Sequence, residues 1–315
     1  MYGKMATVTL ITLLVLRISF AHSSHSRVVC YFTSWTIYRP DIGKFQAANI
    51  DPTLCTHINY AYIGIYENGN VLVLDDWEQT LLEEVKHLMN LKQKNPNLKV
   101  LASMGGWNEG STKYSHVAAD PEKRATMVQS VLKYMEKHGF DGLDLDWEYP
   151  GQCGGDPEND PINFVTLLGE LKTALNAKGY ILSAVVTADK YSMDISYPDV
   201  RAISNNLDQI NILTYESSST LNSLHQIREQ EHSSVICQLG SEWEYIWDDV
   251  QKIPYKINGD QWITYEDTES IGIKTDFVKE MSLGGVAVWS FDTDDFLGLC
   301  GAAYPLLHSI NYHLN

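Results

Sequence analysis

The sequence predicts an α/β fold of parallel βαβ units, and three observations predict it. Short apolar runs alternate with stretches whose apolar residues recur at helical spacing, and short loops join them. The residues at the C-terminal ends of those runs include Trp35, Trp107, Glu148 and Tyr215, so several chemistry-bearing side chains gather on one face. The chain has 315 residues, which suits one large domain such as an α/β barrel of roughly 250 residues plus a small insertion.

Taken in order, Val28 to Phe32 is a short apolar strand running into Thr33, Ser34 and Trp35. His57 to Ile63 is a second strand. Thr80 to Lys94 reads as a helix with Leu81, Leu82, Val85, Leu88 and Met89 on one stripe. Lys99 to Met104 is a third strand, leading into Gly105, Gly106 and Trp107. Asp120 caps a helix that starts at Pro121, carries Val128, Val131, Leu132 and Met135, and stops at Gly139. Asp160 and Pro161 repeat that start signal before Phe164, Leu167, Leu168, Leu171 and Leu175, with Gly179 at the end. Tyr180 to Val186 and Gln209 to Tyr215 are the fifth and sixth strands. The rhythm then fails. Ser217 to Ser234 is polar, and Trp243 to Tyr265 is aromatic and turn-rich, like a small antiparallel piece. Glu269 to Met281 is a helix, and Gly284 to Phe291 is a last strand. The acids Asp292, Asp294 and Asp295 beyond it read as a solvated loop. Seven core strands are counted where eight would close a barrel.

The fourth strand, Phe140 to Gly151, organises the rest. Strand side chains alternate faces, so Asp144, Asp146 and Glu148 share one face while Leu143, Leu145 and Trp147 take the other. Each carboxylate raises the next one's pKa, and burial raises them further. That arrangement reads as a proton-handling site with Glu148 nearest the exit. A divalent-metal site built from Asp141, Asp144, Asp146 and Glu148 is the competing reading, since hard cations take clustered oxygens. Calcium loops, however, are Gly-rich and irregular, and here Leu143 and Leu145 interleave as a buried strand. No metal and no cofactor are expected.

Residues 1–21 read as a secretory signal peptide: Lys4, a short apolar run from Ala6 to Leu16, and a small-x-small site at Ser19-Phe20-Ala21. No later segment is long and apolar enough to span a bilayer. An exported chain free of the membrane in its mature form is expected. There are 40 acidic and 23 basic residues, a net charge of −17. That balance argues against nucleic acid or an anionic membrane as partner and suits a neutral or cationic ligand. The 8 Trp and 18 Tyr fit a cleft that stacks sugars. Five cysteines, Cys30, Cys55, Cys153, Cys237 and Cys300, leave one thiol over if the others oxidise, and composition does not choose the pairs.

Asp141-x-x-Asp144-x-Asp146-x-Glu148 resembles the signature of glycoside hydrolase family 18, the chitinases and chitinase-like lectins. Ser103-Met104-Gly105-Gly106 resembles the family's motif on the third strand. Val29 to Trp35, Cys55-Thr56-His57 and Gly285 to Trp289 also fall in family order. The resemblance implies a TIM barrel and a secreted, monomeric hydrolase of chitin or chitooligosaccharides with substrate-assisted retaining chemistry. It implies Glu148 as general acid and base, Asp146 as the carboxylate that orients the acetamido group, and Asp144 as a proton partner deeper in the barrel. Tyr215 would bond the acetamido group and Trp289 would floor the sugar. Tyr31, Trp35, Trp107 and Tyr149 would line the cleft. The family-like disulfides are Cys30–Cys55 and Cys237–Cys300, leaving Cys153 free.

The chain departs from the family pattern in two places. The family's Tyr-Asp at the end of strand six is Tyr215-Glu216 here, so the substrate-binding carboxylate would reach one methylene further. The helix and strand that follow strand six, and the first part of an α+β insertion domain, are missing. The expected architecture is therefore a TIM-type (β/α)8 barrel incomplete around strand seven, with a remnant of the insertion domain. Strands one to six fall in 22–216, an irregular linker and the remnant in 217–265, and the last helix and strand in 266–315. A chitin-binding lectin or a weakly active, shortened isoform is the alternative to an active enzyme.

Overall fold

The computed structural model describes residues 26–77, 83–214, 225–226 and 233–315. The expected signal peptide, Tyr215, Glu216 and most of Ser217–Ser234 lie outside them. In chain order the strands of the main sheet are β1 Arg27–Thr33, β2 His57–Ile65, the short β3 Val71–Val73, β4 Lys99–Gly105, β5 Gly142–Asp146, β6 Ile181–Thr187 and β7 Gln209–Leu213. Four strands of a second sheet follow: β8 His225–Gln226, β9 Glu244–Asp248, β10 Ile253–Asn258 and β11 Gln261–Thr264. β12, Gly285–Val288, returns to the main sheet.

The main sheet runs β12-β1-β2-β4-β5-β6-β7, parallel throughout, with β3 folded back antiparallel on β2. Seven parallel strands wrap almost into a barrel. Among the described residues, β7 and β12 each pair on one side only, so a seam stays open where the expected seventh strand is lacking. The second sheet is largely antiparallel, and β10 turns into β11 through Gly259 at a φ of +62°. This bears out the antiparallel reading of Trp243 to Tyr265.

Helices cover the outside of the barrel. Before β5 come α1 Glu84–Asn90, α2 Thr112–Ala119 and α3 Pro121–His138; after it come α4 Asp160–Asn176, α5 Lys190–Ser196 and α6 Val200–Asn205. The chain then forms α7 Ser233–Ile236, α8 Thr268–Glu280 and α9 Pro305–Leu314. The α3 caps are as the sequence predicts: the Asp120 side chain accepts from the backbone N–H of Glu122 and Lys123, Pro121 opens the helix, and Gly139 closes it at a φ of +81°. The helix expected over Thr80–Lys94 is shorter, because Leu91–Gln93 tightens into a 3₁₀ turn, and Thr80 to Leu82 lie outside the described residues.

Strand alternation divides the apolar side chains between two layers. Outward residues such as Cys30, Phe32, Ile58, Tyr60, Leu143 and Leu145 form the large cluster under the helices. Inward residues Val29, Tyr31, Ala61 and Val185 form a small cluster inside the barrel, with Tyr62, Leu213 and Trp289 packed against it. Cys30–Cys55 and Cys237–Cys300 are bonded and Cys153 is an exposed free thiol. No helix among the described residues is long and apolar enough to cross a membrane.

Two sequence expectations are corrected. Asp292, Asp294 and Asp295 are buried rather than solvated. Asp294 accepts from the N–H of Leu306 and Leu307 at the start of α9, and Asp295 accepts from the N–H of Leu299 and Cys300. Asp294 thus fastens the C-terminal helix and Asp295 the loop before it, because backbone donors replace the water they lose. Asp160 is not a helix cap either; Asn159 holds that position. The buried Asp160 carboxylate accepts from Ser115 Oγ and from the N–H of Gly151 and Asp156. It pins the loop that leaves β5.

Candidate active site

β5 is central in the sheet, and its inward residue Asp144 lies in register with Ser103 on β4 and Ser183 on β6. That register builds the site's base. Asp144 is fully buried. Its Oδ1 accepts from Ser183 Oγ at 2.6 Å and Asn211 Nδ2 at 3.0 Å. Its Oδ2 accepts from Tyr31 Oη and Ser103 Oγ, both at 2.8 Å. Burial raises the Asp144 pKa, and the donors, Ser183 foremost, pull it back. Four donors around one carboxylate let it carry charge in a dry interior.

Asp146 closes β5 one layer higher and is 3% exposed. Tyr62 Oη donates to its Oδ2 at 2.7 Å. Burial holds the Asp146 carboxyl well above the usual range, and repulsion from Glu148 and Asp144 adds to it, against the Tyr62 bond. Oδ1 of Asp146 has no regular donor. Glu148, the next acid in the row, favours the protonated form of Asp146, so the two carboxyls titrate as a pair. The strand ends at Asp146, two residues short of Glu148, so Glu148 stands at the barrel mouth, half-buried. Trp147 beside it is buried outward, and its Nε1 donates to Ser111 Oγ at 2.6 Å, which in turn donates to the Tyr149 carbonyl at 2.9 Å. That relay holds both sides of Glu148.

The expected aromatic residues divide into three groups. Trp35 and Trp107 are 42% and 62% exposed at the mouth. Trp289 stacks with Tyr62 at a centroid distance of 5.8 Å and tilts against Trp35 at 6.2 Å. Tyr31 is buried beneath them, with Asp144 as its partner and Trp289 against its ring at 5.3 Å. Tyr149 is buried and packs in the cluster under the helices. Tyr215 and Glu216 lie outside the described residues. Asp141 stands apart from the acid row, paired with Lys92 at 2.6 Å and accepting from the Val100 N–H.

Sequence reasoning missed Tyr62, Ser183 and Asn211. Ser183 and Asn211 are polar residues at inward positions of otherwise apolar strands, and that alternation is the signal that marks them; Tyr62 follows the inward Ala61 where the register of β2 shifts, so alternation does not mark it.

A row of three acids rising through a parallel barrel to an aromatic-lined mouth defines a hydrolase of the glycosidase type. The profile described as Glycosyl hydrolases family 18 matches residues 27–238 and 228–294. The chain belongs to that family. It is 28% identical to the endochitinase of Manduca sexta over 98% of this chain and 71% of that protein. That alignment spans 395 positions, more than this chain has residues, so the relative carries a stretch that is lacking here. Among solved structures it is similar to the Ostrinia furnacalis Group IV chitinase, with a TM-score of 0.84, 30% identity, and 92% and 99% of the two chains covered. It is also similar to human YKL-39, described as a pseudo-chitinase with retained chitooligosaccharide binding, at a TM-score of 0.79, 27% identity, and 92% and 99% coverage.

Proposed function

We propose that this protein is a secreted hydrolase of β-1,4-linked N-acetylglucosamine polymers, acting by substrate-assisted retaining catalysis. The observation that carries the reading is the graded row Asp144, Asp146, Glu148. Asp144 is saturated with donors, burial and the neighbouring acids favour a proton on Asp146, and Glu148 meets the mouth. The chitinase relatives support the choice of substrate.

In this scheme Glu148 protonates the leaving glycosidic oxygen. The acetamido oxygen of the sugar attacks the anomeric carbon and expels the leaving group. The resulting oxazolinium ion carries positive charge, which Asp146 offsets as a carboxylate, the proton of the Asp146 and Glu148 pair having gone to the leaving oxygen. Glu148, now a carboxylate, takes a proton from the water that opens the ring, and the anomeric configuration is retained. Trp289 forms the floor beneath the sugar, and Trp35 and Trp107 stack further units. Tyr215 and Glu216 are proposed to bind the acetamido group and a sugar hydroxyl. Mature, monomeric protein outside the cell is part of the same proposal.

Glu148→Gln tests it. Hydrolysis of chitooligosaccharides should fall by about 10² to 10⁴, the usual worth of a general acid, while oligosaccharide binding persists. Unchanged hydrolysis would remove Glu148 from the mechanism.

The open seam favours a second reading, a chitooligosaccharide-binding lectin. β7 leads into Tyr215 and lacks a neighbour on its outer side among the described residues. Binding by the parent chain without any turnover would select that reading.

A further inference from the structure

We propose that Asp292 is a positioning residue, whose buried carboxylate locks the loop bearing Trp35 to the strand end bearing Trp289 and so sets the aromatic floor of the cleft. The consequence for ligand rests on the sugar-cleft reading above; the consequence for the rings rests on geometry alone.

Asp292 is fully buried and receives side-chain donors from three places. Its Oδ1 accepts from Thr33 Oγ1 at 2.7 Å and Ser290 Oγ at 2.5 Å. Its Oδ2 accepts from Arg39 Nη1 at 2.5 Å. Thr33 and Arg39 bracket the 3₁₀ turn Ser34–Tyr38, so they grip Trp35 from both sides. Ser290 directly follows Trp289. One carboxylate thus ties down both indoles, whose rings lie 6.2 Å apart. Each also contacts Tyr62, at 6.1 Å and 5.8 Å, and Tyr62 donates to Asp146. The chain of contacts runs from Asp292 through the floor to the acid row.

Strand pairing does not supply this hold. The ladder between β1 and β12 stops at Cys30 opposite Val288, one residue before Trp289. On its other side β12 faces the seam, where no strand pairs with it among the described residues. A residue one step past the end of a single-sided ladder needs another anchor. Charge-assisted bonds to a fixed carboxylate are short and directional enough to provide it. A carboxylate buried at this depth is tolerable only because its donors replace water, and a half-exposed Arg39 supplies the charge.

The test uses Asp292→Asn and Arg39→Gln, with Arg39→Lys as the conservative variant, at temperatures where all remain folded by far-ultraviolet circular dichroism. The near-ultraviolet band of the packed indoles should lose about half its amplitude in the first two and recover in Arg39→Lys, since ring position follows the clamp. KM for chitotetraose should rise about tenfold in the same two, with kcat within about twofold, because floor contacts hold ground and transition states alike. Unaltered near-ultraviolet spectra overturn the proposal, as does a spectral change with KM unaltered. If the parent chain neither cleaves nor binds the oligomer while its spectra respond as expected, the ring-positioning role is upheld and the sugar-cleft reading fails.

Discussion

Asp146 holds its proton more tightly in the folded chain than in the unfolded one, because burial, Glu148 and Asp144 all disfavour its charge. The folded-state pKa lies above the unfolded value near 4, so stability is greatest below that value and falls as pH rises through the folded pKa. At neutral pH the acid row therefore opposes folding. Asp146→Asn should raise stability at pH 7 by about 1–3 kcal/mol, or several degrees in Tm, and the gain should vanish near pH 4. Thermal melts of both proteins across that range check it; a gain independent of pH would assign the effect to packing. The row itself was legible in the sequence, since Asp144, Asp146 and Glu148 sit two apart and the leucines between them announce the alternation. Its supports were less so. Tyr62, Ser183 and Asn211 lie in stretches read correctly as strands, yet their meeting at Asp144 and Asp146 depends on cross-strand register, which periodicity within one strand does not carry. The depth of Tyr31 was hidden for the same reason: a tyrosine near a strand exit and a tyrosine under the floor look alike until the neighbouring strand is set beside it.

Elements differ in how much of their anchoring is local. α3 was legible at both ends because Asp120, Pro121 and Gly139 act on their own helix. Asp160 carries the same local signal but spends its carboxylate on Ser115, Gly151 and Asp156, a tertiary use that overrides the cap. Asp292, Asp294 and Asp295 mislead in the same way, since a run of acids is solvated by default and only the donors each one meets make burial affordable: Thr33, Ser290 and Arg39 for Asp292, the first α9 amides for Asp294, and the amides of Leu299 and Cys300 for Asp295. β1 has a covalent anchor too. Cys30–Cys55 ties it to the loop before β2 across 25 residues, and cross-linking a loop of that length contributes about 3 kcal/mol through the unfolded chain. Replacing both cysteines by alanine should lower the unfolding free energy by about that amount, plus a smaller packing loss at two buried sites. Denaturant titration of the oxidised parent against the double variant measures it, and a loss under about 1 kcal/mol would mean the loop is already confined without the bond.

At the scale of the whole molecule, the strand count and the parallel order followed from the alternation of apolar runs and helices, and the seam followed from the strand the family pattern has and this chain lacks. What periodicity could not supply is how far seven strands curl, because curvature is a property of registers summed around the sheet. The result is a barrel with lips. Ile212 on the outward face of β7 is 54% exposed, where a closed barrel would cover it, and Phe277, Met281 and Leu283 are exposed at the end of α8 and just beyond it. β5 is paired on both sides, while β7 and β12 have one partner each among the described residues. A strand hydrogen-bonded on one side, with its outer face half bare, opens by local unfolding before the centre of the sheet does. Native-state hydrogen exchange should therefore give the amides of β7 and β12 opening free energies at least about 2 kcal/mol below those of β4 and β5. The latter should exchange only through global unfolding. The acid row stands on β5, in the most protected part of the sheet, while Trp289 stands just past β12, beside the least protected part. If β7 and β12 proved as protected as β5, the two lips would have to be sealed in solution and the seam would cease to be a weakness of the fold.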